Sequence, residues 1–217
     1  MNTNEVLKQK QRALREHFPE AFGLRVHRAI SWIKRAELCE NDSDGKFIFL
    51  WIAFNAIYAD EREFQQISIG ERESFRAFFS KIVELDADNV IYNEVWDRFS
   101  GSLRTLMENQ FVYNPFWQHH NSIPGYENWS EQLEKSIAAF RYAFAQGDTV
   151  RVLEFIFDRL YVLRNQLVHG GSTWNSEVNR SQVEDAAAVA MFLVPEFIHI
   201  MMNNPNNDWG NPFYPVI

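Results

Sequence analysis

The chain is poor in the residues that make covalent staples and metal cages. It has one cysteine, Cys39, in 217 residues. An intrachain disulfide and a zinc site built on paired cysteines are therefore excluded. No apolar run looks long enough to span a bilayer. The N-terminus, MNTNEVLKQKQRALREHF, is charged and amphipathic and has no continuous apolar stretch, unlike a secretory leader. The expectation is a cytoplasmic protein with no membrane contact, in which the Asn-x-Ser sequons at Asn41 and Asn128 have no role. Walker loops, G-x-S-x-G elbows and Rossmann glycine patterns are also lacking. Positive charge is scarce, and a net charge of −8 argues against a surface that grips nucleic acid all over.

Core-forming material is abundant. Hydrophobic residues make up 46% of the chain and aromatics 15%, with 19 Phe and 7 Trp, which excludes global disorder. The length suits one domain, 1–217. The charge is uneven. Residues 1–36 carry Lys8, Lys10, Arg12, Arg15, Arg25, Arg28, Lys34 and Arg35 against Glu5, Glu16 and Glu20, a local balance of +5 that leaves −13 elsewhere. Such a patch could hold a phosphate backbone or be a solvated helix face.

Apolar spacing predicts helices nearly throughout: 3–17, 21–40, 47–59, then near 71–86 and 89–110, then 130–145, a helix running to about 169, and 181–203. NDSDG (41–45) offers N-cap residues, and Gly147-Asp148 marks a stop and a new cap. Ser181 and Glu184 have capping-box spacing, and Pro195 should kink the last helix or mark a join. FIFLWIAFNAIYA (47–59) is apolar on most sides, as in a buried helix. Residues 60–70 read as a polar loop. FVYNPFWQHHNSIPGYENW (111–129) reads as a long packed loop whose length hints at an insertion. The tail is too rich in Pro, Asn and Gly for regular structure. The predicted fold is an all-α antiparallel helical bundle with additional inserted helices.

The stretch LRNQLVHGGSTW (163–174) carries the most chemistry. At roughly 100° per residue, Leu153, Ile156, Phe157, Leu160, Leu163, Leu167 and Val168 share a core-facing arc with Arg164 in its middle. A guanidinium there needs a partner or an aqueous cavity. Asn165 and His169 share a neighbouring face, and Asp158 points the same way. Gly170 and Gly171 end the helix, so His169 sits where the dipole favours an imidazolium. Imidazolium beside guanidinium suits a phosphodiester, one donating a proton and the other steadying charge. The plainer alternative is an arginine paired with a buried acid and a histidine that only caps. Arg164 and His169 also diverge by about 140° around the helix. A symmetric dimer could bring both sets into one cleft.

Arg164-Asn165-Gln166-Leu167-Val168-His169 resembles the R-x4-H motif of the HEPN superfamily, including the polar residue after the arginine. LWIAFNAIYA (50–59) looks like the second-helix signature of Apea-like and related stand-alone bacterial HEPN proteins. The likeness covers roughly 20–60 and 150–203. It implies a four-helix core over about 20–60 and 147–203, interrupted by a helical and loop insertion over about 61–146. It further implies a homodimer with the two motifs facing each other, and a metal-independent endoribonuclease that uses the RNA 2′-hydroxyl and leaves a cyclic phosphate. Arg164 would bind the scissile phosphate, His169 would be the acid/base group, and Asn165 would orient either. No metal or cofactor is expected. A toxin or phage-defence setting, with an antitoxin or regulatory partner, belongs to the same resemblance. Other members only bind RNA, nucleotides or partners. A non-catalytic binding module and a structural dimerisation bundle therefore stay open.

Three more residues are site candidates. Asn55, a polar residue in an apolar helix, could reach 164–169 or tie two helices together. Tyr161 could contact RNA or pack in the core. Asp158 could line the substrate cleft. Aromatics in 111–129 could stack on unpaired bases or pack onto the bundle. Glu196 and His199 have E-x-x-H spacing, but a di-iron bundle needs a second copy that is absent. His119-His120 reads as a surface pair and Cys39 as an ordinary helix residue.

Overall fold

Caps divide the chain into its helices. In the computed structural model, which describes residues 3–59, 71–178, 180–212 and 214, Asp42 begins α3 (Ser43–Tyr58) by accepting the Gly45 N–H at 2.9 Å. Asp148 begins α9 (Thr149–Val168) by accepting the Arg151 N–H at 3.0 Å. Between and around these run α1 (Thr3–Leu14) with a 3-10 turn Arg15–His17, α2 (Glu20–Glu37), α4 (Glu71–Leu85), α5 (Val90–Asp97), α6 (Ser100–Glu108), a 3-10 turn Gln110–Val112, α7 (Asn114–His120), α8 (Trp129–Gln146) and α10 (Arg180–Asn203). No strand occurs among the described residues. The protein is an all-α bundle. The polar loop expected at 60–70 lies outside the described residues.

Three details depart from the sequence reading. The segment 89–110 is two helices parted at Arg98 and Phe99, next to Ser100, Gly101 and Ser102, weak helix formers that open the second. The expected loop 111–129 contains α7, where Pro115 occupies the first turn, a position at which its missing N–H costs nothing. The last helix already includes Arg180 and Ser181 and continues through buried Pro195. That helix also corrects the membrane reading of the sequence. By length and composition α10 could cross a bilayer, although 67% of its most apolar window is buried inside the protein.

α3 is the centre of the packing, in contact with α2, α9 and α10, while α9 also packs on α4, α6 and α8. Phe54 of α3 meets Phe157 of α9 at 4.4 Å, Phe79 of α4 at 6.2 Å and Phe197 of α10 at 6.4 Å between ring centroids. Each such ring contributes roughly 1.5–3 kcal/mol through burial, plus a smaller term from ring geometry. Ile82, Ile91, Val95, Leu103 and Leu106 of the middle section join this same cluster.

Two buried arginines tie the bundle together, and neither was singled out in the sequence reading. Arg25 is fully buried and donates to Ile57 O at 2.9 Å, Ala59 O at 2.7 Å and Asn211 O at 2.8 Å. It thereby fastens the end of α3 and the C-terminal tail to α2. Arg159 donates to Ser136 Oγ at 3.2 Å and lies over the Tyr113 ring at 4.5 Å.

Candidate functional site

The site is built on the last two turns of α9. Leu160 and Leu163 are buried there, whereas Leu167 is half-buried and Val168 exposed. The helix therefore emerges from the core before it ends. Arg164 sits at this exit, half-buried, with its Nη1 donating to Asn165 Oδ1 at 2.8 Å. It continues the arc of buried Leu153, Phe157 and Leu160, at a turn where the helix has already left the core. The deeply buried arginine of α9 is Arg159, whose neighbours at spacings of three and four, Phe155, Ile156 and Leu163, are all buried.

Arg164 lines a cleft of about 530 Å³ between α2, α3, α9 and the tail. Arg28 of α2 and Asn55 of α3 line the same cleft, with Trp32, Trp51 and Tyr58 as aromatic walls. Asn55 thus reaches the neighbourhood of Arg164. Among the described residues no carboxylate pairs with Arg164 or Arg28. Two guanidiniums that share one cleft, with no acid partner among the described residues, suit an anion. Of the eight basic residues in 1–36, only Arg28 faces this cleft. Arg25 is consumed inside the protein, Lys10 donates to His199 O at 3.2 Å, and Arg35 lies over Phe49 at 4.5 Å. The N-terminal basic cluster is not one continuous surface.

Asn165, Asp158 and Tyr161 face a second cleft, of about 800 Å³, between α7, α8 and α9. Tyr161 also packs on Trp51 at 6.1 Å. The Arg164–Asn165 hydrogen bond therefore joins the two clefts across the end of α9.

His169 is the C-cap of α9 and is exposed. Its N–H donates to Asn165 O at 3.0 Å. Gly170 follows at φ 71, a left-handed value, and Gly171 N–H returns to Gln166 O at 2.7 Å. A Cβ on Gly171 would meet that oxygen at 3.2 Å. The two glycines are thus the closing turn of the helix. The segment beyond is pinned to the start of α3. Trp174 Nε1 donates to Asp42 Oδ1 at 3.2 Å, Asn175 N–H to Asp44 Oδ2 at 3.0 Å, and Arg180 pairs with Asp44 at 2.8 Å. His169 lines neither cleft.

Arg164, Asn165 and Asn55 are therefore brought together, Asp158 and Tyr161 lie on the far side of Asn165, and His169 stands apart on the surface. Arg28 was visible in the sequence only as one of many basic residues; its spacing of four from Trp32 on α2 was the available signal. No group of three or more His, Cys, Asp or Glu side chains that could hold a metal ion occurs among the described residues.

No protein-family model, curated protein or solved structure matches this chain.

Proposed function

We propose that this protein is a metal-independent endoribonuclease of HEPN type. The observation that carries this reading is the convergence of Arg164 and Arg28, without acid partners among the described residues, on a cleft that also holds Asn55. The scissile phosphate sits against the two guanidiniums. The 2′-hydroxyl gives up its proton as its oxygen attacks phosphorus, the bond from phosphorus to the 5′-oxygen breaks, and that oxygen takes up a proton as it leaves. The products are a 2′,3′-cyclic phosphate and a 5′-hydroxyl. His169 is the group that moves the proton, and Asn165 holds the Arg164 guanidinium in register through its 2.8 Å hydrogen bond. Because His169 does not share the cleft of its own Arg164, the arrangement calls for a second copy that presents its histidine.

That same separation favours a second reading, a binding module that holds RNA or a nucleotide without cleaving it. Structured and unstructured RNAs incubated in EDTA with wild-type, His169→Ala and Arg164→Ala protein separate the two. The nuclease reading expects cyclic-phosphate ends from wild-type, and a rate at least about a hundredfold lower from His169→Ala. Cleavage that survives His169→Ala overturns it. Intact RNA throughout, with binding weakened by Arg164→Ala, selects the binding module.

A further inference from the structure

The second cleft is rich in carboxamides. Among the described residues, six carboxamide side chains and five aromatic rings line its 800 Å³, with Asp158 as the single charged group and no lysine or arginine. Its volume lies in the range of small-ligand sites. A carboxamide offers an acceptor and two donors on one plane, the complement of a nucleobase edge. Several of these amides are only partly used. Gln118 Nε2 donates to Asn114 Oδ1 at 3.3 Å and Gln132 Nε2 to Asn128 Oδ1 at 2.6 Å, so each keeps an N–H and a carbonyl oxygen for a ligand. Asn121 lies exposed on the turn after α7.

The aromatic residues divide into two kinds. Phe116 and Trp117 are locked at 5.1 Å in a cluster with Phe111 and Trp129, and Trp117 Nε1 donates to Phe111 O at 2.8 Å. These rings hold α7 in place. Tyr126 is different. It is half-buried, lines the cleft, and stacks on no other ring among the described residues. Its face is available to a flat ligand.

Cations flank this slot without entering it among the described residues. Arg164 lies on one side, bonded to Asn165. On the other, an adjoining cleft of about 450 Å³ shares Phe75, Tyr113, Gln132 and Asp158 with it and adds Lys135, Arg151 and Glu154, with the buried Arg159 beneath. Arg151 is paired with Glu154 at 2.6 Å, while Lys135 is exposed and has no acid partner among the described residues. A carboxamide-rich slot with Arg164 on one side and Lys135 on the other fits a base whose backbone phosphates continue on either side. A neutral sugar would have no use for those stations.

We propose that this cleft takes one unpaired nucleobase of a single-stranded RNA whose phosphate lies at Arg164. Tyr126 stacks on the base, and Gln118, Asn121 and Gln132 meet its edge. The proposal rests on RNA being the ligand, as in the function above. A paired base cannot enter, because its edge is occupied and the major groove of an RNA helix is closed to side chains.

The test uses His169→Ala protein in EDTA, so that cleavage does not obscure binding, and a fluorescent single-stranded RNA octamer read by anisotropy. Adding Tyr126→Ala should raise the Kd about tenfold, in the range measured for loss of one stacked base, whereas Tyr126→Phe should not. An octamer carrying one abasic nucleotide at the recognised position should lose the same factor on the parent and nothing further on Tyr126→Ala. The duplex should bind at least about tenfold more weakly than the single strand. Asn121→Ala, an exposed turn substitution, supplies a second variant if Tyr126→Ala lowers the melting temperature. Equal affinity for parent, Tyr126→Ala and Asn121→Ala overturns the proposal, as does equal affinity for duplex and single strand. The two readings fail separately. If wild-type cleaves nothing but binding remains sensitive to Tyr126, the nuclease falls and the base cleft stands. If wild-type and Tyr126→Ala bind and cleave alike, the base cleft falls and the nuclease stands.

Discussion

His199 lies near the end of α10, where burial first and the nearby Lys10 ammonium second push its imidazole below the usual value. Glu196, one turn earlier, is pushed the other way, by burial and by Asp86 and Glu94, against the opposing pull of Lys10. The two therefore have opposite effects on stability. A folded state that disfavours imidazolium keeps its advantage above the ordinary histidine value, about 6.5, and loses it as the pH falls further. A folded state that favours the protonated carboxyl gains as the pH falls. Melting temperatures taken from pH 7.5 to 5.0 should fall less for His199→Gln than for wild-type, and more for Glu196→Gln. Parallel curves for all three would remove the explanation. The arginines teach a related lesson about what a residue pattern shows. Arg164 was legible as a misplaced charge on an apolar arc, and its partners Asn165 and Asn55 were within reach of that reading. Arg159 and Arg25 sit deeper, with apolar neighbours at helical spacing that did mark them, Phe155, Ile156 and Leu163 for one and Phe22 and Ala29 for the other. Their partners are backbone carbonyls and a serine far along the chain, and backbone acceptors leave no mark in the sequence.

Elements were more readable than their connections. Asp42, Gly147 and Asp148 mark helix ends in the sequence because capping is a local event within four residues. Pro115 misled for the complementary reason, since a proline in the first turn starts a helix while the same residue further along stops one. What NDSDG could not reveal is its second task. Asp42 and Asp44 also anchor the segment that follows His169, through Trp174, Asn175 and Arg180, more than a hundred residues away. Replacing Asp44 by Ala removes an ion pair at which both side chains are mostly buried, together with a backbone hydrogen bond. It should cost about 1–3 kcal/mol and speed amide exchange at Asn175 by about tenfold or more. Asp148→Ala, which removes the cap at the other end of α9, should cost about 1 kcal/mol and leave exchange across 170–178 in step with global stability. If the two variants change that segment equally, it is not held by α3. Because His169 stands at the head of this segment, cleavage should suffer in Asp44→Ala and be spared in Asp148→Ala.

At the scale of the molecule, the aromatic cluster at Phe54, Phe79, Phe157 and Phe197 makes α3, α4, α9 and α10 one body, and the rigid exit of α9 sets the direction in which Arg164 and His169 point. A rigid helix cannot turn two side chains about 140° apart toward one phosphate. In the proposed mechanism Arg164 of one copy works with His169 of another, and that has a consequence a single mutant cannot reveal. Arg164→Ala and His169→Ala proteins, each inactive alone, should recover activity when mixed and allowed to exchange. In the mixed dimer one of two sites pairs an intact Arg164 with an intact His169. Random exchange makes half of the dimers mixed, so recovery should reach about a quarter of the wild-type rate. A mixture that stays inactive while sedimentation shows mixed dimers would mean that each chain supplies both groups to its own site. The end of α9 would then have to unwind on binding RNA, and helical signal from 164–169 should fall as substrate is added. A chain that stays monomeric at the concentrations at which it cleaves would exclude the shared site outright, because no second histidine would be present.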